Sequence, residues 1–83
     1  MMKIKLLFFA SCRQAVGRTQ ADVEVEEGTT VSCFKSTLAV LYPRLKEQLK
    51  FLAIAVNCEY INEDRTLAAG DEVALIPPVS GGQ

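Results

Sequence analysis

Apolar and polar positions alternate with a period of two at both ends of the chain and with a helical period in between. From Lys3 to Phe9, Ile4, Leu6 and Phe8 fall on one side of an extended strand, and Lys3, Lys5, Leu7 and Phe9 on the other. The two lysines mark the second face as solvated where it begins. Leu7 and Phe9 then put apolar side chains on that same outward face, which points to a partner surface. Ala10 to Arg18 has no clear period and reads as a connecting stretch with Gly17 as its turn signal. Asp22 to Glu26 alternates acid and valine, the pattern of a half-buried strand whose charges protect a sheet edge. It is expected to pair with the first strand as a hairpin closed by a long loop.

Thr29 or Thr30 then offers a helix N-cap. Val31, Phe34, Leu38 and Leu41 recur at helical spacing, and Pro43 ends the run because its ring clashes with the preceding turn. Arg44 to Lys50 is expected to add a short turn with Leu45 and Leu49 facing inward. Leu52 to Asn57 predicts a third strand, with Ile54 and Val56 on one side and Ala53 and Ala55 on the other. Asn57-Cys58-Glu59 reads as a turn and Tyr60-Ile61 as a short returning strand. A polar loop, Asn62 to Arg65, precedes Leu67, which is expected to plug the core. Ala69-Gly70-Asp71 turns the chain into a last strand, Glu72 to Ile76, where Val73 and Leu75 oppose Glu72, Ala74 and Ile76.

This order predicts one main helix on a mixed sheet of about five strands, an α+β arrangement of the β-grasp or ubiquitin-like type. Residues 1–76 form the expected domain. Residues 77–83, Pro77-Pro78-Val79-Ser80-Gly81-Gly82-Gln83, form an extended tail. Each proline fixes φ and removes a backbone donor, so neither ladder nor helix continues. The paired glycines leave a tip with no side-chain bulk. A stiff base with a thin tip suits entry into a narrow site on another protein.

Composition narrows the function. Eighty-three residues make one small domain, and 49% hydrophobic content favours a folded one. With net charge −1 and basic residues scattered along the sequence, no nucleic-acid footprint is expected. The start, Met1 to Phe9, mimics a signal peptide, but its apolar run is short and Arg13 follows, which fits a mature cytoplasmic domain. No apolar run reaches membrane-spanning length. Cys12, Cys33 and Cys58 are far apart and there is no histidine, so a metal ligand set is absent and free thiols are expected. Cys33 near a helix start comes closest to a reactive position.

Three segments resemble the small, sulfur-carrying subunit of molybdopterin synthase. They are Leu7-Phe8-Phe9-Ala10-Ser11-Cys12-Arg13 with Val16-Gly17, then Ala55-Val56-Asn57, and then Gly70 to Gly82 with its Pro-Pro-Val-Ser-Gly-Gly ending. The resemblance implies that a partner similar to a ubiquitin-activating enzyme uses ATP to adenylate the Gly82 carboxylate. Sulfur then replaces the activated oxygen as a thiocarboxylate. The tail enters the large synthase subunit and gives its sulfur to a pterin precursor, forming the dithiolene of molybdopterin. A heterotetramer of two large and two small subunits is also implied. The carrier itself binds no cofactor and no metal and has no active site of its own. Gly82 is the expected reacting residue, with Gly81, Ser80, Val79, Pro78 and Pro77 as its arm. Six residues reach roughly 20 Å when extended. Phe9, Leu7 and Ile76 are expected to dock both partners, over a floor of Ala55 and Ala74, with Arg13 as a charged rim contact.

The family pattern ends at the second glycine, whereas Gln83 follows here. A Gly82–Gln83 peptide bond leaves no carboxylate to activate. The glutamine is expected to be a residue added on expression, one trimmed before use, or the mark of a carrier that has lost its role. Other readings remain open: a ubiquitin-like protein modifier, a thiamine-pathway sulfur carrier, or a β-grasp module for RNA or a small ligand.

Overall fold

The computed structural model describes residues 1–61 and 63–77. Asn62 and the tail from Pro78 to Gln83, including the expected reacting residue Gly82, lie outside the described residues. The chain runs β1 (Met2–Phe8), α1 (Ala10–Val16), β2 (Gln20–Val25), α2 (Val31–Leu41), two single 3₁₀ turns (Pro43–Leu45 and Gln48–Lys50), β3 (Ala53–Val56), β4 (Glu59–Ile61) and β5 (Glu72–Ile76). The strands form one sheet in the order β2-β1-β5-β3-β4. β1 pairs antiparallel with β2 and parallel with β5, while β3 pairs antiparallel with both β5 and β4. This is a mixed β-grasp sheet with the main helix on one face.

Strand parity sets the core. Ile4, Leu6 and Phe8 of β1, Val23 and Val25 of β2, Ile54 and Val56 of β3, and Val73 and Leu75 of β5 all point to the helix side and are buried. Val31, Phe34 and Leu38 of α2 meet them, with Leu45, Leu49 and Leu67 closing the ends. Phe8 stacks edge-on against Tyr42, ring centres 5.4 Å apart.

The N-terminus of α2 is fully provided for. Thr30 is the cap, and its Oγ1 accepts from the Cys33 N–H at 3.3 Å. The Val31 N–H donates to the Arg65 carbonyl at 2.9 Å, and the Ser32 N–H donates to Asp64 Oδ1 at 2.9 Å. Each N–H ahead of the first intrahelical bond thus has an acceptor. The Ser32 donors hold the Asp64 carboxyl below the ordinary carboxylate range.

The stretch from Ala10 to Arg18 is not the plain connection its sequence suggests. Seven residues form α1, which carries the chain from β1 to β2. Ala10 turns out of the strand at φ 49°, and Gly17 closes the helix at φ 87° with its N–H on the Arg13 carbonyl at 2.8 Å. The β1–β2 pair is antiparallel as expected, but it is joined by this helix and not by a hairpin loop. Cys12, on the inner side of α1, is fully buried, and burial pushes its thiol pKa up. Cys33 and Cys58 are exposed.

Candidate functional site

The outward face of the sheet changes character along its length. Its first full row is polar: Lys5 stands beside Asp22 on β2 and Glu72 on β5. Lys5 Nζ lies 3.8 Å from the Glu72 carboxylate. One pleat further, Leu7 aligns with Gln20 on one side and Ala74 on the other, Ala74 with Ala55, and Ala55 with Tyr60. In the next row Ile76 pairs with Ala53, and Phe9 follows the Phe8–Leu75 pairing to the same level. The face therefore turns from charged to apolar toward the end where β5 runs out into Pro77.

Each expected surface residue has a definite place. Phe9 lies one residue past β1, as the cap of α1, but its backbone stays extended at φ −124°, ψ 151°, so it keeps the outward parity of Leu7. It is 44% exposed, while Leu7 and Ile76 are half-buried. Ala55 is buried and Ala74 half-buried, forming the low floor between larger neighbours. Arg13 stands on α1, one helical turn beyond Phe9, and is exposed. The fold brings Leu7, Phe9 and Ile76 together at the exit of the last strand.

Two exposed aromatic side chains escaped sequence reasoning, one of them at this face. Tyr60, 70% exposed, borders Ala55 from β4. Its signal was the outward parity of a three-residue strand. Phe51, also 70% exposed, precedes β3 at the end of the second 3₁₀ turn, where no periodicity marks it.

A polar clamp fixes where β5 begins. The Glu72 N–H donates to Asn57 Oδ1 at 3.0 Å, and Asn57 Nδ2 donates to Asp71 Oδ1 at 2.9 Å. The other oxygen of Asp71 accepts from the Ala68 N–H at 2.8 Å. The Asn57 N–H donates to the Glu72 carbonyl, and the Lys5 N–H to the Asp71 carbonyl. The Ala55-Val56-Asn57 and Gly70-Asp71 motifs are thus two halves of one junction that sets the register of β5 against β3 and β1. That register decides which residues precede the tail. Among the described residues no group of three or more His, Cys, Asp or Glu side chains could hold a metal. Among them too, no helix is long and apolar enough to cross a membrane.

Fold and face together define a ubiquitin-like domain whose apolar sheet end lies beside its C-terminal strand. A family model described as the ThiS family matches residues 6–82. The molybdopterin synthase sulfur carrier subunit of Escherichia coli is 42% identical over 95% of this chain and 99% of its own length. In a protein–protein complex of subunits 1 and 2 of molybdopterin-converting factor from Helicobacter pylori, the matching chain has a TM-score of 0.72. It is 27% identical, over 98% of this chain and 100% of that one. SAMP1 of Haloferax volcanii, a small archaeal modifier protein, superposes with a TM-score of 0.86 at 28% identity, over 96% of this chain and 99% of that one. The chain belongs to the ThiS family, and within it to the molybdopterin synthase sulfur carrier subunits.

Proposed function

We propose that this chain carries sulfur on the carboxylate of Gly82 and delivers it inside a large synthase subunit. The observation that carries the reading is the full-length match to sulfur carriers, which runs through the Pro-Pro-Val-Ser-Gly-Gly ending. A carboxylate is a poor electrophile. Reaction with ATP in an adenylating partner gives an acyl adenylate and releases pyrophosphate. Hydrosulfide, the sulfur nucleophile, then displaces AMP and leaves a thiocarboxylate. The anionic sulfur attacks a carbon of the pterin precursor and displaces an oxygen substituent, giving a thioester that still joins the precursor to its carrier. Water then cleaves the acyl–sulfur bond, leaving the sulfur on the precursor and restoring the carboxylate. Gln83 has to leave first, by hydrolysis of the Gly82–Gln83 bond.

The carrier's own part is geometry. Gly82 and Gly81 supply the slim tip, and Pro77, Pro78, Val79 and Ser80 the reach. Phe9, Leu7 and Ile76 form the docking patch for both partners, with Ala55 and Ala74 beneath and Arg13 at its rim. The chemistry of activation belongs to the partners, and the setting is the cytoplasm. The Helicobacter complex of two subunits supports a large-subunit partner.

Intact mass spectrometry of the protein purified from its native cells tests the reading. Loss of the glutamine and replacement of one oxygen by sulfur are expected. A chain that keeps Gln83 and still restores cofactor synthesis in cells lacking the native carrier overturns it. The likeness to SAMP1 supports a second use of the same tail, amide linkage to lysines of other proteins. Mass-shifted conjugates on a blot would reveal it.

A further inference from the structure

The basic residues are not spread evenly along the chain, and three of them line one groove. Between Val31 and Cys58 in sequence, Lys35, Arg44, Lys46 and Lys50 stand against a single acid, Glu47, while Glu63 and Asp64 line a neighbouring cavity with Ser32 and Lys35. From Gln20 to Thr30 the balance is reversed: Asp22, Glu24, Glu26 and Glu27 with no cation. A chain of net charge −1 therefore has a basic helical flank.

Within that flank lies a trough of about 360 Å³. One wall is a stripe of α2, Ser32, Lys35, Ser36 and Ala39, spaced i, i+3, i+4, i+7. The facing wall is Lys46, Leu49 and Lys50 from the segment after Pro43. Ser32, Ser36 and Ala39 are small, so the floor is low, while lysines rise on both sides. Lys50 lies 3.4 Å from Glu47, and among the described residues Lys35 and Lys46 have no ion-pair partner. The trough lies on the helix side, so its occupant would not compete for the outward sheet face.

We propose that this trough docks an acidic peptide segment of a partner protein. Carboxylates of the segment pair with Lys35, Lys46 and Lys50, and its backbone lies over Ser36 and Ala39. The lysine ammonium is a mobile point charge, suited to carboxylates whose exact spacing varies. A nucleic acid fits less well, because no aromatic ring lines the trough for a base to stack on. The acidic run from Asp22 to Glu27 also disfavours a long polyanion on a protein of this charge. The proposal is independent of the tail chemistry.

Fluorescence anisotropy with a fluorescein-labelled peptide of repeating Glu-Glu-Ala triplets tests it on the full chain at low ionic strength. Saturable binding is expected, with none by a Gln-Gln-Ala counterpart. The pair Lys35→Glu and Lys46→Glu should weaken binding about tenfold or more. An equal charge change placed elsewhere, Lys3→Glu with Arg18→Glu, should weaken it far less. Amide chemical-shift changes in the unaltered protein should map to Lys35, Ser36, Ala39, Lys46 and Lys50, a readout that needs no variant to fold. Absence of saturable binding, equal losses in both paired variants, or shifts confined to the outward sheet face would overturn the proposal. Tighter binding of an oligouridylate of matched charge would also overturn it and assign the trough to nucleic acid.

Discussion

Asn57 and Cys58 both adopt left-handed backbone, at φ 53° and 69°, between the paired residues Val56 and Glu59. Two consecutive positive φ values joining antiparallel strands make a type I′ turn, which favours Asn then Gly. Asn57 fits, and its side chain is held by the β5 junction. Cys58 has a Cβ where glycine would be unstrained, at a cost of about 1–2 kcal/mol. Cys58→Gly is therefore expected to stabilise the domain by about 0.5–1 kcal/mol, after glycine's greater loss of backbone entropy on folding is deducted. A higher urea midpoint at unchanged slope would show it. Asp64 gives a pH signature. Its carboxyl is held below its unfolded value, so its contribution is present above the ordinary carboxylate range and lost as pH falls through the folded pKa. Asp64→Asn should lower stability at neutral pH and narrow its gap to the parent protein in acid. A gap that stays constant from neutral to strongly acid pH would contradict the role given to the charge.

At the scale of elements, the apolar end of the β1–β5 pair is the testable feature. Phe9→Lys keeps an exposed, extended position and removes an aromatic anchor. It should weaken both partner complexes by about tenfold or more while the domain stays folded. Isothermal titration with each partner would measure it, and unchanged affinity would reject the docking patch. That patch was legible because strands have a strict period of two: Leu7 and Phe9 could face only one way once Ile4, Leu6 and Phe8 were inside. α2 was equally readable from Thr30, Val31, Phe34, Leu38 and Pro43. α1 was not. It is two turns long, buries fully only Cys12, and has no side-chain cap, so its sequence carries neither period nor start signal. The clamp was hidden for another reason. Asn57 and Asp71 are 14 residues apart, and each alone reads as an ordinary turn residue. The basic trough is assembled by packing, from a helix stripe and a segment beyond Pro43; the charge bias of that stretch is linear, but the groove itself is not.

For the whole molecule, stability and sulfur transfer should separate. Gly82 comes six residues after the last described strand ends at Ile76, so Gly82→Ala is expected to change unfolding by no more than about 0.5 kcal/mol. On the proposed sulfur-carrier reading, its added methyl would crowd the partner sites that accept the tip, where a small misplacement can cost about 10²-fold in rate. A reconstituted synthesis assay beside a melt of the same sample measures the contrast. Equal sulfur transfer by variant and parent would remove the steric argument. The position of β5 has a mechanical consequence as well. It is flanked by β1 and β3, so a pull applied along the strand at Pro77 loads both ladders in shear at once. When a partner lets go, the tether should slide free before its anchor peels.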